Sequence, residues 1–275
     1  MTKPIAIQGI KGSFHHEVAQ KYFSTQADVI ECMSFDSAVD NLICGDTDTI
    51  VMALENSIAG SIIPNYALID KHHLSIVGEY YLDIQHHLMA LHGETIASIK
   101  EVHSHPMALL QCKVFLKDYP HIKLVEAKDT ADVAKQISEE GIKGIAAIAS
   151  KTAASMYNLN VLAESIQTIK HNETRFAIVK REEDKVDTNT IDKASLKFQL
   201  DHKRGSLATI LNVMSDCKLN LTKIQSLPKI DTPWKYSFFV DVTFNDYKDY
   251  AKAHSIIEIM AENFKVLGEY KNARI

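Results

Sequence analysis

Along the first two-thirds of the chain, short apolar runs alternate with longer stretches whose apolar positions recur every three or four residues. Ile5-Ala6-Ile7 predicts a strand, which ends at Gly9-Ile10-Lys11-Gly12 and gives way to a helix carrying Glu17, Val18, Ala19 and Tyr22. The same reading gives a helix over 35–43, a buried strand over 49–54, and a strand over 76–84 that runs on into 87–91. A helix over 107–117 opens with a proline at its start, Pro106, where a missing N–H does no harm. A helix over 131–139, a short apolar strand over 145–149 and a helix from 151 to 157 follow. Strands alternating with helices favour an α/β layer with a largely parallel sheet.

The rhythm changes after a charged, aperiodic run from Lys180 to Asn189, which reads as a linker. Leu196, Phe198 and Leu200 alternate with polar residues, the period of a half-buried strand. A helix beginning at Gly205 lines up Leu207, Ile210, Leu211 and Met214. Strands over 219–226 and 236–244, a helix over 248–263 and a last strand over 265–270 complete a βαββαβ order, that of a ferredoxin-like plait.

Composition narrows the class. Of the 275 residues, 46% are hydrophobic and 24% charged, as in an ordinary globular protein, and the net charge of −5 leaves no footprint for nucleic acid. The first residues run directly into a strand with no leader or long apolar span, so a cytoplasmic protein without membrane contact is expected. Cys32, Cys44, Cys112 and Cys217 lack paired spacing and read as free, mostly buried thiols. His103 and His105 have no third ligand at a diagnostic distance, so no metal is expected.

Four polar segments carry candidate chemistry. Gly9-Ile10-Lys11-Gly12-Ser13-Phe14 lies between a strand and a helix, and reads equally as an anion-holding loop or a plain turn. Glu55-Asn56-Ser57 follows a buried strand, at the sheet edge where ligands bind in open α/β folds, although Asn56 or Ser57 could equally cap the next helix. Ser104-His105-Pro106, with Gln111 beyond it, reads first as a helix start capped by Ser104. His171-Asn172-Glu173-Thr174-Arg175-Phe176 is a polar run passing directly into an apolar strand. The histidine pairs 15–16, 72–73 and 86–87 read as mixed surface and packing positions.

Gly9-x-x-Gly12-Ser13-Phe14, Glu55-Asn56-Ser57-x-x-Gly60, Ser104-His105-Pro106-x-Ala108-x-x-Gln111-Cys112, Ala149-Ser150-x-x-Ala153-Ala154-x-x-Tyr157 and Thr174-Arg175-Phe176 occur in the order seen in prephenate dehydratases. The tail resembles the ACT regulatory domain that those enzymes carry. The resemblance implies an α/β fold with a two-lobed, periplasmic-binding-protein-like catalytic domain followed by a ferredoxin-like ACT domain. It puts the catalytic domain at 1–182, with lobe one at about 1–80 and 170–182 and lobe two at about 81–169. A linker at 183–193 and the ACT domain at 194–275 follow. The implied activity is that of a lyase converting prephenate to phenylpyruvate, carbon dioxide and water, with no cofactor. Thr174 matches the family's catalytic threonine. Asn56, Ser57 and Ser150 are expected to bind the substrate carboxylates, Ser104 to take part in substrate binding, and Phe176 to form an apolar wall. Arg175 either pairs with a carboxylate or braces an acid such as Glu55.

The family's effector, L-phenylalanine, binds between ACT domains, at positions matching Gly205, Ser206 and Leu207 and Gln225, Ser226, Leu227 and Pro228. Gln225 and Leu227 stand where the family has an acid and an arginine, so one charge pair is lost together. A homodimer or homotetramer is expected. Arogenate dehydratase, acting on the aminated substrate, and a non-catalytic sensor of small anions remain as alternatives.

Overall fold

The computed structural model describes residues 3–181, 187–201, 203–228 and 236–274. Of the expected bounds, residues 1–2, 182–186 and 275 lie outside the described residues, and with them part of the linker.

In chain order the elements are β1 (Ile5–Gln8), α1 (Phe14–Tyr22), β2 (Val29–Cys32), α2 (Phe35–Cys44), β3 (Thr49–Asn56), β4 (Gly60–Ser61), α3 (Ile63–Lys71), β5 (Ser75–Asp83) and β6 (His87–Ala90). Then come β7 (Glu101–Ser104), α4 (Pro106–Gln111), α5 (Lys113–Lys117), β8 (Lys123–Glu126), α6 (Thr130–Glu140), β9 (Ile145–Ala149), α7 (Lys151–Met156), β10 (Asn160–Ala163) and β11 (Glu173–Lys180). The last six are β12 (Lys193–Gln199), α8 (Ser206–Asp216), β13 (Asn220–Pro228), β14 (Tyr236–Thr243), α9 (Tyr247–Met260) and β15 (Glu262–Tyr270). The chain divides into two compact units, 1–60 with 81–176 and 61–80 with 177–275.

In the first unit β1 runs parallel to both β2 and β3. A second sheet has the order β10-β6-β9-β7-β8, with β7 parallel to β8 and β9. It is mixed: β6 lies antiparallel to β9 and β10. Its two faces are covered by separate cores, one around Leu88, Val102, Leu109 and Ile148, the other around Met89, Ala134, Ile137 and Ala153. The single strand run read over 76–91 divides at 84–86. There the Ile84 N–H donates to Asn172 O and the His86 N–H to the Gln167 side chain instead of continuing a ladder. The helix read over 107–117 divides at Cys112.

The second unit contains an antiparallel sheet of order β13-β14-β12-β15, the strand order of a ferredoxin-like plait. Ala194, Leu196 and Phe198 pack with Ile210, Met214, Tyr250 and Ile257 of α8 and α9. The alternation on β12 predicted a half-buried strand, but all seven residues are buried. Its polar side chains point into a second interface made by α3 and β5. Lys193 lies 2.8 Å from Glu79 in an ion pair with side chains 3% and 0% exposed. Asp70 of α3 takes Lys197 at 2.6 Å and Lys265 at 2.8 Å. Ser195 donates to Asp241 and meets the Tyr270 hydroxyl at 2.6 Å. Polar residues tolerate burial here because each meets a partner.

Candidate active site

The site is built where β3 ends and β11 begins. Asn56 closes β3, and its Oδ1 accepts the N–H groups of Ile58 and Ala59 at 3.0 and 2.8 Å. Asn56 therefore caps a turn and not the following helix, which starts at Ile63 without a side-chain cap. With Oδ1 committed, the Asn56 amide nitrogen faces β11. It donates to Thr174 Oγ1 at 2.9 Å and to Asn172 Oδ1 at 2.7 Å. Asn172 Nδ2 passes the pattern on to Gln111 Oε1 at 2.9 Å, and Gln111 Oε1 meets His86 Nε2 at 2.9 Å. A chain of hydrogen bonds thus runs from Thr174 to His86 and joins the ends of elements from both sheets of the first unit.

Thr174 is 7% exposed and Asn172 fully buried. Since Thr174 Oγ1 accepts from Asn56, its own hydrogen is left for another acceptor, and none is found among the described residues. Ser57 ties the turn to the start of β11: its N–H donates to Glu173 O, and its Oγ accepts the Glu173 N–H at 3.0 Å.

Side chains alternate along β11, so Thr174 and Phe176 share one face and Arg175, 2% exposed, takes the other. The Phe176 ring meets His15 edge-on at 5.0 Å, and His15 meets Phe35 at 5.4 Å. Burial lowers the His15 pKa to about 3, so this wall is aromatic and uncharged at neutral pH. His86, edge-on to Phe14 at 5.6 Å, is likewise held neutral by burial, its pKa lowered to about 4.

The remaining expected residues sit apart from this chain of bonds. Ser104 Oγ donates to Ile148 O at 2.6 Å inside the second sheet. The cap of α4 is His105, whose Nδ1 accepts the Met107 N–H at 3.2 Å, and not Ser104. Ser150 caps α7 and donates to Gly12 O at 2.6 Å, fixing the glycine loop. At Gly9 (φ +88°) an added Cβ would lie 2.6 Å from Asp129 Oδ2, so the loop passes closer to that carboxylate than any side chain allows. In the second unit Gly205 takes φ +84° before α8, Ser206 Oγ donates to Lys203 O, Leu207 packs on the plait core, and Gln225 through Pro228 lie on β13. His103 is paired with Glu101 at 2.8 Å. Among the described residues no group of three or more potential ligands could hold a metal ion, and no helix is long and apolar enough to cross a membrane.

His86 and Asn172 were not assigned a role in the site from sequence. A signal for Asn172 existed, because residues 172 and 174 share a strand face by period two. His86 carried none beyond its place in a histidine pair.

Known proteins resemble this chain along most of its length. The family model described as prephenate dehydratase matches residues 5–184. An arogenate dehydratase/prephenate dehydratase 2, chloroplastic, of Arabidopsis thaliana is 36% identical over 276 residues, spanning 97% of this chain and 72% of that protein. A solved prephenate dehydratase from Arthrobacter aurescens, in complex with L-Phe, matches with a TM-score of 0.89 at 25% identity, covering 98% of this chain and 90% of that one. A structure described as GqqA, a quorum quenching acylase, has the same TM-score at 26% identity and covers 99% of both chains.

Proposed function

The chain belongs to the prephenate dehydratase family, and from that premise we propose that it converts prephenate to phenylpyruvate, carbon dioxide and water. In this reaction the bond between the ring and its carboxylate breaks, and the electron pair enters the ring. The ring hydroxyl leaves from the opposite carbon as hydroxide and takes up a proton to become water. The ring becomes aromatic, so the reaction is strongly downhill. What the protein must supply is help to the departing oxygen and a dry place for the carboxylate.

The observation that carries the reading is the hydrogen bond from Asn56 to Thr174. It fills the acceptor side of the hydroxyl and turns its hydrogen outward, as a donor toward the leaving oxygen. Threonine is a poor acid, so its contribution is electrostatic stabilisation of developing charge. Phe176 and the neutral His15 supply the apolar wall. A cation there would hold the carboxylate back from leaving, and burial prevents one from forming. Ser104 and Ser150 act in this reading by fixing the backbone that meets the carboxylates. Thr174→Ala is expected to lower kcat about 10²–10³-fold. Phenylpyruvate formation within a few-fold of the parent would reject the assignment.

Fold alone does not decide activity, as the acylase on the same architecture illustrates. A second reading, turnover of arogenate, draws on the name of the Arabidopsis relative, and assaying both substrates side by side separates the two. The C-terminal plait is proposed to be an ACT domain that responds to L-phenylalanine through residues 205–207 and 225–228, a reading supported by the L-Phe in complex with the Arthrobacter protein. Among the described residues β13 is an edge strand of its sheet, which supports assembly as a dimer or tetramer. Calorimetric titration with phenylalanine tests the sensor: no heat and no change in activity would reject it.

A further inference from the structure

We infer that His86 is a positioning residue for the reaction: by donating its Nε2–H to Gln111, it fixes the direction of the amide chain that ends at the Thr174 hydroxyl. The inference deepens the proposed activity, on which only the kinetic part of its test depends.

The polarity of the chain is set at one end by backbone. Asn56 cannot turn over, because Oδ1 holds two N–H donors and an inverted amide would face them with its own NH2. Asn172 must then offer Oδ1 to Asn56 and Nδ2 to Gln111. Gln111 Oε1 receives Asn172 and faces His86 Nε2 at 2.9 Å. Two acceptors cannot face each other, so the hydrogen must sit on Nε2. The opposite nitrogen, Nδ1, is buried without a partner among the described residues. A bare buried nitrogen is destabilising, and it persists here because the proton is held on the other side of the ring. The ring is kept in place by the bond from the His86 N–H to Gln167 at 3.0 Å and by Phe14.

The alternative tautomer would propagate a fault. A lone pair on Nε2 would turn the Gln111 amide, which would then present NH2 to the Asn172 NH2. Turning Asn172 only moves the clash to Asn56, which is locked. Asn172 and Gln111 would lose their order, and Asn56 would lose the neighbour that aims it at Thr174.

Two measurements on the full chain test this. Nitrogen-15 spectra of the labelled imidazoles at neutral pH, assigned to His86 by the signal lost in His86→Gln, should show hydrogen on Nε2; hydrogen on Nδ1 would overturn the inference. In steady-state kinetics, His86→Phe keeps a ring but offers no donor, and should lower kcat about tenfold while KM stays within about twofold, the loss expected for one network hydrogen bond felt in the transition state. His86→Gln restores an amide N–H and should recover kcat to within about threefold of the parent. Equal losses in the two variants would assign His86 to packing and overturn the inference, as would an unchanged kcat in His86→Phe. A parent chain that turns over neither prephenate nor arogenate rejects the proposed activity, while the spectra still decide the polarity of the chain.

Discussion

Acid should destabilise this protein through two histidines that folding keeps neutral. Burial lowers His86 from 6.5 to about 4 and His15 from 6.5 to about 3. As the pH falls through 6.5 the unfolded imidazoles take up protons, whereas the folded ones do not until pH 4 or 3. Throughout that window the unfolded chain binds more protons, so stability falls as the pH falls. Between pH 7 and pH 5 each group removes about 2 kcal/mol, taking one pKa unit as about 1.4 kcal/mol. Together they remove about 4 kcal/mol, a large part of the roughly 5–15 kcal/mol that holds a typical domain folded. The assay is urea unfolding followed by circular dichroism at pH 7 and pH 5, for the parent and for His86→Gln. Other titrating groups are common to both chains and cancel. The parent should lose about 2 kcal/mol more than the variant over this interval. Equal losses would show that His86 is not a neutral buried imidazole, and the reasoning would fail.

Asn56→Asp replaces the donor to Thr174 with an acceptor that captures the threonine hydrogen, so kcat should fall about 100-fold in a protein that is still folded by circular dichroism. Lys193→Met removes the ammonium group 2.8 Å from the buried Glu79 carboxylate and should cost about 3–5 kcal/mol in urea unfolding, most of which Lys193→Met combined with Glu79→Leu should recover. Gly9→Ala sets a Cβ against Asp129 at φ +88° and should lower stability by about 2 kcal/mol, read as a reduced Tm.

What the sequence revealed follows from how far each signal reaches. The helices α1, α2 and α6 were visible because their apolar stripes and capping residues are local. The plait was legible from the order of its periods. β8 was not, because Lys-Leu-Val-Glu on a sheet edge is largely exposed and carries no buried face to mark it. α3 was missed because its apolar positions hardly segregate to one side. β12 misled in the opposite sense: Lys193, Ser195 and Lys197 looked solvated and are buried, since their partners lie far away in sequence. The site divides in the same way. Asn56 and Thr174 stood out as members of motifs, yet the bond between them spans 118 residues, and no local pattern encodes it. His86 becomes meaningful only once Gln111 is seen beside it.

The charged seam behind β12 bears on how such a protein can be recombined. Asp70 and Glu79 belong to the N-terminal half of the chain, while Lys193, Lys197 and Lys265 belong to the C-terminal plait. A foreign plait grafted in place of the native one must bring ammonium groups to those three positions, or the host must give up both carboxylates. Trimming the chain before β12 would remove the three ammonium groups that face these acids and uncover the backbone of Ile76, against which Gly268 is pressed. Plait and scaffold are therefore inherited as a matched set, and a swapped tail has to be chosen first by the lysines it carries.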